Sequence, residues 1–366
     1  MSNCPGCEVL PGPLPVDGNL YLWPPLGHTL SKIEASLGEA KLSAEKVAED
    51  CLCISVTPTL LETLRDDCRS RLSQVECDQC KYLFLPADRE PALSDLGRVN
   101  SMTHLMAHIT GRWLVELLAE RRLVTHFQPI VHTSEPENIF AHECLIRGVD
   151  ASGALISPGE LFDVGRDANL LYQLDRAARL QHIGAADKNN LSTAIFINFN
   201  PTAIYDPEFC LRSTIAAIRQ THLESHQFVF EVIESDRVTD LERLPQVLDF
   251  YRREGFRVAL DDLGAGYSSL NMLSTLKPDF IKLDMHLIRG IDSDLYKAEV
   301  VAALIAAAHN LNIQVVAEGV ETIGEWNWVA AAGADYTQGY LFGRPSATPV
   351  NCITAAASAT PAISAH

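Results

Sequence analysis

Eight short apolar runs, most of them separated by helix-length segments, constrain this chain more than any other feature. They are His126–Val131, Ala141–Arg147, Ala194–Asn200, Phe228–Glu234, Arg257–Leu263, Phe280–Asp284, Gln314–Glu318 and Tyr336–Phe342. Segments long enough for a crossover helix lie at Tyr172–Ala186, Leu211–Thr221, Leu241–Arg253 and Ala298–Leu311. Strands alternating with helices imply parallel βαβ units. Eight strands over roughly 220 residues suit a closed barrel better than an open sheet. The first two runs are too close in sequence for a helix between them, so that pair is expected to be antiparallel. The fold class is therefore α/β: a modified (β/α)8 TIM-like barrel, expected over residues 122–345.

A small N-terminal α/β accessory domain is expected over residues 1–100, with strands at Asn19–Trp23 and Cys51–Val56 and helices at Thr29–Leu37 and Leu60–Leu72. Leu105, Ile109, Trp113, Leu114, Leu117 and Leu118 recur at helical spacing, which predicts one connecting helix through residues 101–121. From Ser346 the chain is rich in Ala, Ser, Thr and Pro, so residues 346–366 are expected to form a disordered tail.

Lys and Arg number 29 against 47 Asp and Glu, a net charge of −18. Such a surface repels polynucleotides and anionic membranes, but not a small anion met by metal ions. The start carries no basic-then-apolar leader and no run is long enough to span a bilayer, so a reducing, cytoplasmic setting is expected. Seven of the ten cysteines fall within the first eighty residues, which there favours metal ligation over disulfides. Cys4 with Cys7, and Cys77 with Cys80, form two Cys-x-x-Cys pairs that could close a structural Zn²⁺ site. Free thiols or a redox centre are the alternatives.

Most of the barrel runs stay apolar until a polar residue appears in the C-terminal half: Glu143, Asn198, Glu231, Asp261 with Asp262, Lys282 with Asp284, Glu318 and Gln338. Side chains alternate along a strand, and the ends of parallel barrel strands meet at one rim. Several carboxylates would converge there, repel one another and call for bound cations. Oxygen-only donors favour Mg²⁺ or Mn²⁺ over Zn²⁺. Adjacent aspartates suit the bridging of two ions, and a lysine suits phosphate charge or an attacking water. The pattern points to a metal-dependent phosphoryl hydrolase, and Asp284, on the Lys282 face, is expected beside the substrate. An enolase-type lyase would also use Asn198, Glu231 and Asp261, but Glu143 and Asp262 add carboxylates where that chemistry wants a Lys or His base.

The segments Glu143-Cys144-Leu145-Ile146-Arg147, Asn198-Phe199-Asn200, Glu231-Val232-Ile233-Glu234, Asp261-Asp262-Leu263-Gly264-Ala265-Gly266-Tyr267-Ser268-Ser269, Ile281-Lys282-Leu283-Asp284, Ala317-Glu318-Gly319-Val320-Glu321 and Gln338-Gly339-Tyr340 resemble, in order, the motifs of EAL-domain cyclic-diguanylate phosphodiesterases. The resemblance implies second-messenger hydrolysis, with two Mg²⁺ or Mn²⁺ ions and in-line attack of water opening cyclic diguanylate to linear diguanylate. It implies that Glu143, Asn198, Glu231 and Asp261 hold one ion and that Asp261 and Asp262 hold the second. Glu318 and Lys282 would position and deprotonate the water. Arg147 would meet phosphate, Gln338 and Gln128 would line the pocket, and Glu234 would steady the loop after Asp262. A homodimer through the barrel is also implied. Cys144 stands where alanine is usual and should point away from the site. Some barrels of this kind bind the dinucleotide without cleaving it, but they usually lack a ligand, whereas every expected ligand is present here.

Overall fold

The computed structural model describes residues 10, 17–39, 43–200, 210–233, 244–264 and 269–353, with backbone alone at 58–59, 233 and 269–272. Glu234, Cys4 and Cys7 lie outside the described residues. The chain divides into two compact units, Leu10–Glu120 with Glu160–Leu171, and Arg121–Gly159 with the residues from Tyr172 on.

In the accessory unit β1 (Gly18–Trp23), β2 (Ala44–Ala48), β3 (Cys51–Val56), β4 (Lys81–Pro86) and β5 (Asn100–Ser101) form an antiparallel sheet of order β2-β3-β1-β4-β5. Helices Gly27–Glu39 and Pro58–Arg71 return the chain from β1 to β2 and from β3 toward β4. This interleaving of two split β-α-β units is the ferredoxin-like arrangement. Its core joins Leu20, Leu22 and Ile54 of the sheet to Ile33, Leu37, Leu61 and Leu64 of the helices. The connecting helix differs from expectation. It is two helices, Met102–Thr110 and Arg112–Ala119, divided at Gly111, while Leu123 already begins a strand. A Cβ on Gly111 would sit 2.4 Å from Ala168 Cβ, so close packing there requires glycine.

The barrel unit is built from β6 (Leu123–His132), β7 (Ile139–Val149), β9 (Ala194–Phe199), β10 (Phe228–Ile233), β11 (Arg257–Leu263), β12 (Phe280–Leu283), β13 (Gln314–Ala317) and β14 (Tyr336–Gln338), with a short β8 (Leu155–Ile156) added to β7. Apart from the antiparallel β8, neighbours from β7 through β14 run parallel, and β6 closes the ring antiparallel to both β7 and β14, as the short first connection required. Ser346 is not part of a free tail. Its backbone exchanges hydrogen bonds with Phe127, N–H to O at 2.7 and 3.0 Å, and His142 Nε2 lies 3.0 Å from the Val350 carbonyl. Composition could not reveal those backbone contacts.

Two layers fill the barrel. Ala141, Phe196, Val229, Ala259, Phe280, Val316 and Tyr336 form an apolar interior cluster with Ile130. Two positions further along each of these parallel strands stand Glu143, Asn198, Glu231, Asp261, Lys282, Glu318 and Gln338. The strand period of two thus stacks the polar ring on an apolar floor. The odd-face residues, among them Cys144, Ile197, Phe230, Leu260 and Ile281, pack outward in the larger core.

His182 is a buried titratable group beside that outer core. His182 meets Thr125 Oγ1 at 3.0 Å and is fully enclosed, and burial pushes its pKa down to about 3. An unfolded imidazole takes a proton near pH 6.5, so this site loses stability as pH falls from about 6.5 toward 3. Chemical denaturation at pH 7 and pH 5 should show a wild-type loss on the order of 2 kcal/mol greater than that of His182→Gln. Equal losses in both proteins would contradict it.

Candidate active site

Elementary strand geometry carries the polar ring, but one feature exceeds it. Asp261 and Asp262 are adjacent and should point to opposite faces. The pairing of β11 with β12 instead slips between Leu260 and Leu263, and Asp262 adopts φ 57°, a left-handed conformation that a non-glycine residue takes only under constraint. That irregularity turns both carboxylates inward. Oxygen atoms of Asp261, Asp262 and Glu318 come within 4.8 Å of one another, the one such three-residue group among the described residues. Gly319 follows Glu318 at φ 68° with its Cβ position 2.4 Å from Met285 Cβ, so the turn that presents Glu318 requires glycine.

Lys282 sits at the centre. Its Nζ lies 2.7 Å from Glu231 Oε1, 2.7 Å from Glu318 Oε1, 3.1 Å from Asp261 Oδ1 and 3.6 Å from Glu143 Oε2. Glu143 is gripped from both sides: Asn198 Nδ2 donates to Oε1 at 3.1 Å and Gln338 Nε2 to Oε2 at 2.6 Å. Lys282 and Glu231 are buried, whereas the Glu318 side chain keeps 17% of its surface open toward solvent.

Charge is out of balance in this ring. Burial works against Lys282, but Asp261, Glu143, Glu231 and Glu318 outweigh it and hold the ammonium above its ordinary pKa. The carboxylates are less well served. Burial and neighbouring acids push Glu231 and Glu318 well above the usual carboxylate range and raise Asp262 to about 6, despite Lys282. Fully ionised, five carboxylates against one ammonium would leave four excess negative charges. In addition, Asn198 Oδ1, Glu231 Oε2 and Gln338 Oε1 are buried acceptors with no donor among the described residues. Buried acceptors of this kind want a cation. The oxygen-only donor set fits a hard divalent metal.

Around the ring, Gln128 pairs across from Glu143 and donates to the Gly343 carbonyl at 3.2 Å. Arg147 is half-buried with Nη1 on the Ile146 carbonyl at 2.7 Å. Asp284 has its Oδ1 capping the following helical turn through His286 N–H at 2.8 Å. Two supports escaped the sequence reading. Asp175 and Arg179 form a buried ion pair on helix Leu171–Lys188, and Asp175 Oδ1 accepts the Asn200 N–H at 2.9 Å, fixing the end of β9. Glu325 gathers the N–H groups of Gly290, Glu321 and Thr322, tying down the turn after Glu318. Opposite charges four apart at Asp175 and Arg179 were the available signal for the first.

Cys77 and Cys80 are buried with Cys68 in the accessory core, and burial pushes Cys80 up to about 12. Cys144 faces outward into the packing core, as alternation required.

The EAL domain profile matches residues 112–345. The chain belongs to the EAL domain family. It is 31% identical over 241 residues to the bifunctional diguanylate cyclase/cyclic di-GMP phosphodiesterase MucR of Pseudomonas aeruginosa, covering 63% of this chain and 34% of that protein. It is 30% identical over 207 residues to the cyclic di-GMP phosphodiesterase PdeF of Escherichia coli, covering 56% of this chain and 28% of that protein. The chain thus spans about a third of the length of these curated relatives. Among solved structures, a standalone EAL protein from Vibrio cholerae O395 in its c-di-GMP-bound form matches with a TM-score of 0.57 at 34% identity, over 63% of this chain and 95% of that one. The EAL barrel therefore accounts for the second unit and for the ring of acidic residues at its rim.

Proposed function

We propose that this EAL barrel hydrolyses cyclic diguanylate to linear diguanylate in a metal-dependent reaction. The observation that carries the reading is the intact ring: Glu143, Asn198, Glu231, Asp261, Asp262, Lys282 and Glu318 converge, with an excess of carboxylates and buried acceptors that have no donor among the described residues. Glu143, Asn198, Glu231 and Asp261 would hold one divalent ion, and Asp261 with Asp262 a second, whose combined charge matches the excess of the ring. Bound there, the ions would supply Lewis acidity toward the phosphodiester.

The chain's own groups do the rest. Glu318, whose side chain keeps 17% of its surface open, accepts the proton of the attacking water at its carboxylate oxygen. Lys282 fixes Glu318 by their 2.7 Å contact and keeps its own proton. Water oxygen bonds to phosphorus, one ring P–O ester bond breaks, the leaving ribose oxygen takes a proton from solvent, and the linear dinucleotide departs. Arg147 offers its guanidinium to phosphate, and Gln128, Gln338 and Asp284 line the site. Glu234 is assigned to the loop after Asp262 by resemblance alone.

Activity should appear with Mg²⁺ or Mn²⁺ and be poor with Ca²⁺, whose longer bonds and looser shell misplace the nucleophile. Product release from metal-stripped protein, reloaded with each ion in turn, checks this; robust turnover with Ca²⁺ alone would refute the oxygen-ring assignment. Two further proposals accompany it. A homodimer through the barrel should appear in light scattering as twice the chain mass. The Cys4, Cys7, Cys77, Cys80 zinc site should give about one zinc per chain by elemental analysis, lost in Cys77→Ser. No zinc in protein purified without chelator would leave Cys77 and Cys80 as apolar filler. No helix among the described residues is long and apolar enough to cross a membrane.

A further inference from the structure

The segment just beyond β14 holds an aromatic residue that packing does not explain. Phe342 is buried edge-on against Trp326, with ring centroids 6.0 Å apart. Gly339 leaves no room for a side chain, since a Cβ there would sit 1.9 Å from the Val320 carbonyl oxygen. Val320 N–H bonds the Gln338 carbonyl at 3.0 Å, and Leu341 N–H returns to the Val320 carbonyl at 3.1 Å. The loop is therefore fixed on both sides of Tyr340, yet the Tyr340 ring stays out of the core with 48% of its surface exposed.

One face of that ring is taken. The Arg344 guanidinium lies over it, 4.1 Å from the centroid. The position is also informative: Tyr340 is two residues past Gln338, which donates to Glu143 of the ring at 2.6 Å. A surface cation–π pair alone would account for the Arg344 contact. It would not account for a rigid loop presenting a half-open aromatic ring at the rim of a nucleotide pocket.

We infer that the open face of Tyr340 stacks one guanine base of the cyclic dinucleotide, with Arg344 holding the ring from behind. The inference rests on the proposed reading of this pocket. Aromatic rings and arginine planes are the usual supports for unstacked bases, because every base presents a π-face. With phosphate held near Arg147, a base projecting from the phosphate–ribose ring reaches the adjacent rim. Stacking of this kind is sequence-tolerant, so Tyr340 contributes affinity and placement, not the choice between purines. In these terms Tyr340 is a binding residue and Arg344 a positioning residue.

Calorimetric titration of cyclic diguanylate into the full chain with Ca²⁺ measures this without turnover. Tyr340→Ala should weaken the Kd by about tenfold or more, Tyr340→Trp should stay within about threefold of wild type, and Arg344→Gln should show a smaller loss than Tyr340→Ala. Restoration by tryptophan separates stacking from a merely structural role. If the alanine variant does not fold, the added tryptophan in Tyr340→Trp serves instead: its emission should be quenched by ligand, and unchanged emission would overturn the inference. A folded Tyr340→Ala variant binding within about twofold of wild type would overturn it too, while leaving the pocket reading in place. Wild-type protein that binds no cyclic diguanylate would overturn the pocket reading, and the stacking inference with it.

Discussion

Glu143→Ala is expected to lower turnover of cyclic diguanylate by about 10²-fold or more, because it removes one donor of the metal-binding ring. Glu143 is also the hub of the barrel mouth: Asn198, Gln338 and Lys282 all reach it. Its loss frees the Asn198 and Gln338 amides to rotate and breaks the alignment of the ring. Folding should survive, since the change also relieves repulsion among buried carboxylates that burial already disfavours. The apolar floor beneath, from Ala141 to Tyr336, is untouched. Steady-state rates with saturating Mn²⁺, together with a thermal melt, check both parts. A folded variant with near-normal turnover would remove Glu143 from the metal site.

Glu318→Ala is expected to be equally damaging for a different reason. Glu318 is the partly open carboxylate paired with Lys282, placed to take a proton from water instead of anchoring the floor of the ring. Its removal should cost about 10²- to 10⁴-fold in turnover. Binding of cyclic diguanylate should persist, because Arg147, Gln128 and Gln338 remain. Paired measurements of turnover and calorimetric affinity separate the two variants: Glu143→Ala should also need more metal to bind substrate, whereas Glu318→Ala should not. A Glu318→Ala protein that still cleaves at a near-normal rate would exclude it as the proton acceptor.

Much of this architecture was legible because the strand period is simple. Apolar runs capped by a polar residue predicted both the barrel and the ring, and Val229–Glu231 and Phe280–Lys282 follow that rule directly. The antiparallel first pair was legible from loop length alone. Alternation could not place Asp261 and Asp262 on the same side, since that needs the slip between β11 and β12 and the left-handed backbone at Asp262. The break at Gly111 was hidden because helical periodicity runs through it, and the need for glycine there comes from the close approach of Ala168, a contact distant in sequence. Composition suggested a free tail from Ser346, whereas pairing with Phe127 is a backbone contact that composition does not encode. The spacing of Asp175 and Arg179 allowed an ion pair but not its role at Asn200, and Tyr340 with Arg344 carried no such signal, because both roles depend on what faces them in space.

The central claim is that this ring of carboxylates cleaves, and does not merely hold, its dinucleotide. Chromatography of cyclic diguanylate incubated with purified protein and Mn²⁺ tests it most directly. The account predicts linear diguanylate as the product, lost on chelation and restored by added Mn²⁺. Tight binding with the cyclic compound recovered intact, in protein shown to carry metal, would contradict it.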